Sequence, residues 1–162
     1  MSTQLSAQIF DYVGRTVDFL FYDNLKISGE SLLTPALALP GQSGALITGI
    51  QKLVQRFLLE LLTERGSMPH ALNRGTLFMA QLRAGVIRTS QDLFASFSVA
   101  ALDVQTRLQL EELTTDPPDE RFKKADLLST DLSGDTASLT IQITSLADTT
   151  YTVVYPLRVT SL

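Results

Sequence analysis

The stretch Ala45–Gly85, ALITGIQKLVQRFLLELLTERGSMPHALNRGTLFMAQLRAG, decides the fold of this chain. In its first half, apolar residues recur at spacings of three and four, which predicts an amphipathic helix with one buried face: Leu46, Ile50, Leu53, Phe57 and Leu61. The polar residues of this half are expected on the opposite, solvent-facing side: Lys52, Gln55, Arg56 and Glu60. Such a helix needs a partner surface, because its apolar stripe is unstable in water.

A loop and two further helices are predicted after this helix. Gly66 is expected to adopt the left-handed conformation that ends a helix, and a short helix follows from about Thr76 to Gly85. Thr89 and Asp92 have the spacing of a capping box, so a third helix is expected to begin there. Its apolar residues continue at helical spacing: Phe94, Phe97, Ala101, Val104 and Leu108.

The C-terminal part changes its hydrophobic period from 3.6 to two, which favours strands. A strand is predicted over Phe122–Leu132, although its alternation is poor. Two better alternating strands follow after turns, the first with Leu139, Ile141 and Ile143 inward, the second with Tyr151, Val153, Tyr155, Leu157 and Val159 inward. Short turns between such strands indicate an antiparallel meander, and Pro156 favours an edge position for the last one.

The N-terminal part is predicted to be a strand followed by an extended arm. Residues Arg15–Tyr22 alternate as a strand does, whereas Leu32–Gly44 is apolar but interrupted by Pro35 and Pro40. This arm either packs on its own domain or reaches a neighbouring subunit. The prediction is therefore an α+β fold, with three helices packed on a small antiparallel sheet, a strand and arm over 1–44, and one globular unit over 45–162.

Composition excludes several classes of function. The chain has 162 residues, no cysteine and a formal net charge of -4. Thiolate chemistry and disulfides are therefore excluded, and the negative charge disfavours nucleic acid as a partner. No basic segment followed by an apolar run begins the sequence, and no apolar run approaches the roughly 20 residues that cross a bilayer. We expect neither a signal peptide nor a membrane partner.

Residues that could carry catalysis are sparse. His70 is the only histidine, and the nearby Ser67 lacks both an orienting acid and a glycine elbow. Glu111 and Glu112 are adjacent on a helix, so their carboxylates do not face each other as a glycosidase pair would. No cluster has the spacing of metal ligands. The residues thus predict a protein that is not an enzyme and needs no cofactor.

The order of these elements resembles the baseplate-wedge, or sheath-initiator, family of contractile phage tails, which type VI secretion baseplates share and whose members are sometimes labelled lysozyme-like. The residues that carry the resemblance are the loop motif Thr63, Gly66, Gly75 and Leu77. The family also has a Glu-Pro-Arg-hydrophobic tetrad at the entry to the sheet, and here Glu120-Arg121-Phe122 occupies that place without the proline. An alternative register gives the arginine position to Arg107. The match covers roughly residues 45–158.

The resemblance implies a structural part of the virion tail baseplate, assembled in the host cytoplasm. Its partners would be wedge proteins and the tail sheath, with tube or hub proteins as further candidates. The sheath would add strands to the edge of the sheet, and the partner-binding residues would be Glu120, Arg121, Tyr151, Val153 and Tyr155. Two alternatives stay open: a peptidoglycan-cleaving lysozyme-like enzyme and a free-standing protein-interaction module.

Overall fold

The computed structural model describes residues 16–19, 22–23, 34–35, 46–133 and 136–158. Its elements, in chain order, are β1 (Asp18–Phe19), β2 (Tyr22–Asp23), β3 (Thr34–Pro35), β4 (Leu46–Ile47), α1 (Gly49–Leu62), α2 (Phe78–Arg83), α3 (Ser90–Glu111), the 3-10 turn η1 (Pro118–Glu120), β5 (Phe122–Ser133), β6 (Thr136–Ser145) and β7 (Thr150–Arg158). Three helices and a three-stranded antiparallel sheet confirm the predicted α+β class.

The main sheet has the order β5-β6-β7, and its two strand pairs differ in regularity. β6 and β7 pair without interruption from Thr136↔Arg158 to Thr144↔Thr150. β5 and β6 pair with two register shifts, one between Phe122 and Lys124 and one between Leu127 and Ser129. These bulges explain the poor alternation of β5, because each extra residue changes the face on which the next side chain lies.

The core lies between one face of this sheet and the helices α1 and α3. Phe57 of α1 stacks on Phe122 of β5, with ring centroids 5.5 Å apart and an interplanar angle of 3°. Phe78 of α2 meets Phe97 of α3 edge-on at 6.4 Å. The strands contribute Leu139, Ile141 and Ile143, all fully buried as predicted. Each large side chain so buried contributes about 1.5–3 kcal/mol.

Helix α1 departs from the prediction at its start and on its polar face. It begins at Gly49, and Leu46 belongs to β4. Gln55 is 1% exposed and Glu60 is 9% exposed, so the expectation that both face solvent is wrong. Gln55 donates to a carboxylate oxygen of Asp18 at 3.3 Å, and a loop covers Glu60. Polar segments from other parts of the chain therefore bury the second face of the helix.

Helix α3 begins with the predicted capping box. The Thr89 hydroxyl accepts the Asp92 N–H at 3.1 Å, and the Asp92 carboxylate accepts the Thr89 N–H at 3.0 Å. Of the predicted apolar residues Phe94 is 54% exposed, whereas the other four are buried. The buried stripe begins instead at Leu93.

The N-terminal segment pairs with residues that precede α1. β1 pairs antiparallel with β4, and β2 pairs antiparallel with β3, so the described parts form two short two-stranded sheets. The predicted strand is confirmed at Asp18–Phe19. Most of the predicted arm over 32–44 lies outside the described residues, and the division at residue 44 stays a prediction. Within the described part, no helix is both long and apolar enough for a membrane span.

Candidate functional site

The loop motif lies on a loop whose two ends are hydrogen-bonded to each other. The Arg65 N–H donates to the Thr76 carbonyl at 2.9 Å, and the Thr76 N–H donates to the Thr63 carbonyl at 2.8 Å. The Thr63 hydroxyl donates back to the Leu59 carbonyl in α1 at 2.6 Å. Thr63 thus joins the end of α1 to the end of the loop. A surface loop of this length with closed ends is an Ω-loop, a class that is frequently functional.

The two positions of the motif require glycine for different physical reasons. Both have positive φ, 85° at Gly66 and 80° at Gly75. A Cβ on Gly75 would lie 2.3 Å from the Thr63 carbonyl oxygen, whereas a Cβ on Gly66 would meet nothing within 4 Å. Gly66 therefore supplies only the backbone conformation, while Gly75 supplies conformation and space. Gly66 has the predicted left-handed conformation, but it does not lie next to the helix, since α1 ends at Leu62.

Glu60, on α1, fixes the far end of this loop. Its carboxylate accepts the Gly75 N–H at 3.2 Å and an Arg107 guanidinium N–H at 2.6 Å, and it is also bonded to Arg74. Burial raises the pKa of Glu60, but the hydrogen bonds from Arg74, Arg107 and the Gly75 N–H outweigh burial and hold the pKa below its usual value. We call Glu60, Arg74, Gly75 and Arg107 the loop clamp.

The loop clamp extends into α3. Arg107 also donates to the Gly75 carbonyl at 3.3 Å, so Arg107 and Glu60 together bind the carbonyl and the N–H of that glycine. Arg74 reaches Glu111 at 2.6 Å, and Arg56 reaches the same carboxylate at 3.6 Å. The chain therefore places Arg107, the alternative family arginine, beside the loop motif. The helical pattern predicted a solvent-facing position for Glu60 and gave no sign of this role.

Glu120, in η1, is a second buried glutamate, with partners in the N-terminal segment and at the start of α1. It is 3% exposed. Its carboxylate accepts the Gly49 N–H at the start of α1 at 3.1 Å, the Lys52 ammonium at 3.0 Å and the Thr16 hydroxyl at 2.7 Å. Thr48, at the N-cap, makes no side-chain cap bond, so Glu120 caps α1 from a distance. Its predicted contact with a partner protein stays a prediction.

Arg121 lies at the entry to β5, next to Glu112. Its Nε is 3.9 Å from a Glu112 carboxylate oxygen and makes no hydrogen bond within the described structure. Glu112 also accepts the Phe122 N–H. Burial raises the pKa of Glu112 above its usual value, against the effect of that N–H. Arg121 and Arg107 therefore occupy different surroundings, one at the sheet entry and one in the loop clamp.

The predicted partner-binding residues of β7 face the core. Tyr151 and Val153 are 4% and 3% exposed, and Tyr155 packs partly buried against the same core. They hold the strand in place, as their alternation indicated. What a partner would meet is the backbone on the outer edge of β7, which pairs with no strand among the described residues.

The hairpin turn decides which backbone groups of β7 point outward. The Ser145 N–H donates to the Thr149 carbonyl at 2.9 Å, so these residues form a hydrogen-bonded pair. In an antiparallel pair hydrogen-bonded positions alternate, so the N–H groups of odd-numbered β7 residues point to β6. Those of Thr152 and Val154 then point outward. Pro156 falls in the outward set, where its missing N–H costs no bond in the sheet.

The titratable groups of these clusters are engaged within the chain. The carboxylates of Glu60, Glu112 and Glu120 each accept a backbone N–H. His70 and Ser67 are exposed on the loop. Among the residues that the structure describes, no group of three His, Cys, Asp or Glu side chains could hold a metal ion. The arrangement holds a loop, a helix end and a strand in place.

No family model matches the chain, and no curated protein matches it in sequence. A crystal structure from Geobacter sulfurreducens, provisionally named a tail lysozyme, is 17% identical in sequence to this chain. The match covers 68% of this chain and 91% of the other chain. Its TM-score is 0.39, which is too low to support an argument about fold or function.

Proposed function

We propose that this protein is a structural component of a contractile tail baseplate, that it binds inner wedge proteins, and that the outer edge of β7 is the template for the first sheath strands. The observation that carries the proposal is the regular edge of β7, with outward N–H groups that include those of Thr152 and Val154 and an inner face fixed in the core. The resemblance of the loop motif and the sheet entry to the sheath-initiator family supports the choice of partner.

The two edges of the sheet differ in their suitability for strand addition. β5 has two bulges and carries the exposed Lys123 and Lys124, and both features protect an edge against another strand. β7 pairs with β6 without a register shift. An incoming strand can therefore bond to the outward groups of Thr152 and Val154 in a regular ladder. It cannot receive a hydrogen bond from Pro156.

A surface for wedge proteins is proposed on the outer face of α3. This face carries three exposed apolar side chains, Val99, Leu102 and Leu110, at 67%, 62% and 81% exposure, and Leu113, at 63%, follows just after the end of the helix. The charged residues of the same helix are engaged elsewhere, Asp103 with Arg65 and Arg107 with Glu60. Exposed apolar residues grouped in this way are typical of protein interfaces.

A pair of proline variants in β7 tests the template. Val154→Pro removes an outward N–H and should leave the fold intact, whereas Val153→Pro removes an N–H that points to β6 and should destabilise the sheet. Each purified variant is combined with wedge and sheath proteins, and sheath nucleation is scored in electron micrographs. We expect the Val154→Pro protein to bind wedge proteins but to nucleate no sheath.

Thr152→Pro provides an independent second variant, because its N–H also points outward. Circular dichroism and thermal unfolding establish which variants are folded. If folded Val154→Pro and Thr152→Pro proteins both nucleate sheath as the wild type does, β7 is not the template. Leu102→Asp tests the wedge surface separately, since it should prevent wedge binding with little effect on folding.

A further inference from the structure

The outer edge of β7 has, apart from one proline, none of the features that normally keep an edge strand from pairing with a copy of itself. No charged residue occurs from Thr150 to Leu157, and β7 pairs with β6 without a register shift. Charged side chains and bulges are the usual protection of an edge, and β5 has both. Among the residues that the structure describes, β7 has a strand on one side only. We propose that the β7 strands of two copies of this protein pair antiparallel and join their three-stranded sheets into one continuous sheet.

The backbone of β7 fits its own copy across a two-fold axis. Such an axis makes the two paired strands antiparallel and brings the same surface of both copies together. The outward groups belong to even-numbered residues, because Ser145 and Thr149 form a hydrogen-bonded pair and such pairs alternate along the ladder. With the axis at Thr152, this residue faces Thr152 of the second copy, and Thr150 faces Val154 of the second copy. Each facing pair then exchanges both of its N–H···O bonds.

Pro156 favours this register over its neighbours. It is an even-numbered position, so the N–H that it lacks would lie on the outer edge. An axis at Val153 would place Pro156 opposite Thr150 of the second copy, and one hydrogen bond of that pair would be lost. An axis moved the other way loses a facing pair, because β7 begins at Thr150. With the axis at Thr152, Pro156 lies beyond the last facing pair.

The side chains that this register brings together are compatible. On the outer face Thr152 meets its own copy and Thr150 meets Val154, all of them β-branched and uncharged. On the inner face Tyr151 lies opposite Val153 of the second copy. Pairs of β-branched residues, and of an aromatic with a β-branched residue, stabilise antiparallel strands. No like charges face each other, so no side chain in the register opposes the pairing.

This association is closed and weak. A two-fold contact uses the β7 edges of both copies and leaves only the β5 edges, where the bulges and the exposed Lys123 and Lys124 oppose further addition. Backbone pairing of two edge strands buries less area than the interface of a stable complex, so we expect a transient dimer at high protein concentration. Such a dimer covers the edge of β7 until another strand displaces the second copy.

Disulfide cross-linking of single-cysteine variants tests the register, because the natural chain has no cysteine. In Thr152→Cys the two introduced thiols face each other, with Cα atoms about 5.5 Å apart, which is within the range of a disulfide. In the matched control Val154→Cys, the two copies of the position are offset along the paired strands by about 14 Å. After oxidation with copper phenanthroline, we expect about tenfold more cross-linked dimer from Thr152→Cys than from Val154→Cys on non-reducing gels.

Sedimentation equilibrium of the cysteine-free protein measures the dimer itself. Val154→Pro removes one donor from each copy, and the loss of two net hydrogen bonds should weaken the dimer about thirtyfold. Circular dichroism checks that the variant is folded. Wild-type protein that stays monomeric up to about 1 mM, equal cross-linking of the two cysteine variants, or a dimer that folded Val154→Pro does not weaken would each overturn the proposal. The inference does not rest on the proposed function, and because no sheath protein is present, its failure is distinguishable from failure of the sheath template.

Discussion

Helix α1 is held at both ends by a buried glutamate, but the two ends are built differently. Near its C-terminal end Glu60 is 9% exposed, and at its N-terminal end Glu120 is 3% exposed. Each accepts the backbone N–H of a glycine with positive φ, Gly75 at 80° and Gly49 at 62°. At both ends a carboxylate accepts a backbone N–H, at the start of the helix in one case and at the end of the loop in the other.

The difference lies in the cations. Glu60 is bound by two arginines, Arg74 and Arg107, which come from the loop and from α3. Glu120 is bound by Lys52, together with the hydroxyl of Thr16. Planar guanidinium groups hold a carboxylate in a fixed geometry, whereas a lysine on a flexible stem does not. We therefore expect the loop end of α1 to be held more firmly than its N-terminal end.

The largest effect is expected at Glu60. Glu60→Ala leaves Arg107, which is only 17% exposed, without its carboxylate. Breaking such a buried pair should lower the free energy of unfolding by about 3 kcal/mol, measured by urea denaturation. Glu64→Ala is the control, because the Glu64–Arg83 pair is exposed and should contribute little. Equal midpoints for the two variants would contradict the loop clamp.

The dependence of stability on acid pH gives a second measure of the contribution of Glu60 near the C-terminal end of α1. The pKa of Glu60 is lowered in the folded protein, so its contribution is fully present above the ordinary glutamate value of 4.5 and is lost as pH falls through the lower folded pKa. The stability difference between wild type and Glu60→Gln should therefore shrink as the pH is reduced below 4.5. Glu112 has a raised pKa, so its effect has the opposite sign.

Alanine variants of the two loop glycines should distinguish a steric clash of the added Cβ from backbone strain. Gly75→Ala places a Cβ against the Thr63 carbonyl and also strains the backbone, and it should cost about 2–3 kcal/mol. Gly66→Ala strains only the backbone and should cost about 1 kcal/mol. Thermal unfolding of the two variants checks the order. The reverse order would mean that the loop does not approach Thr63 as closely as described.

Glu120→Ala should cost less than Glu60→Ala. It removes a helix cap and the carboxylate partner of one cation, Lys52, rather than of the two arginines that Glu60 binds, for an expected loss of about 2 kcal/mol. The same denaturation measurement ranks the two ends of α1 directly. A larger loss for Glu120→Ala would mean that the N-terminal end of α1, not its loop end, is held more firmly.

Much of the fold follows from local pattern, whereas the loop clamp does not. The capping box at Thr89, the inward face of β7 and the edge position signalled by Pro156 are properties of neighbouring residues. Glu60 shares its side of α1 with Lys52 and Arg56, and charged residues in such a pattern normally face water. Its burial depends on Gly75 and Arg107, which lie 15 and 47 residues away in sequence. No periodicity encodes contacts at such separations.

For the same reason, the sequence did not decide whether Arg107 or Arg121 corresponds to the arginine of the sheath-initiator family. The smallest effect on stability is expected at Arg121. Arg121 is 30% exposed and 3.9 Å from Glu112, so Arg121→Ala should lower the free energy of unfolding by less than about 1 kcal/mol. Arg107→Ala breaks the buried pair with Glu60 and should cost clearly more.

Assembly separates the two arginines further. The side chain of Arg121 is 30% exposed while its Nε is buried beside Glu112, so its terminal nitrogens could bind a carboxylate or carbonyl of a partner, which lysine does not reproduce. Arg121→Lys should therefore fold as the wild type does yet assemble poorly with wedge proteins in a pull-down. If Arg121→Ala assembles normally and folded Arg107→Lys does not, the family's arginine position belongs to Arg107, and partner recognition lies at the clamped loop.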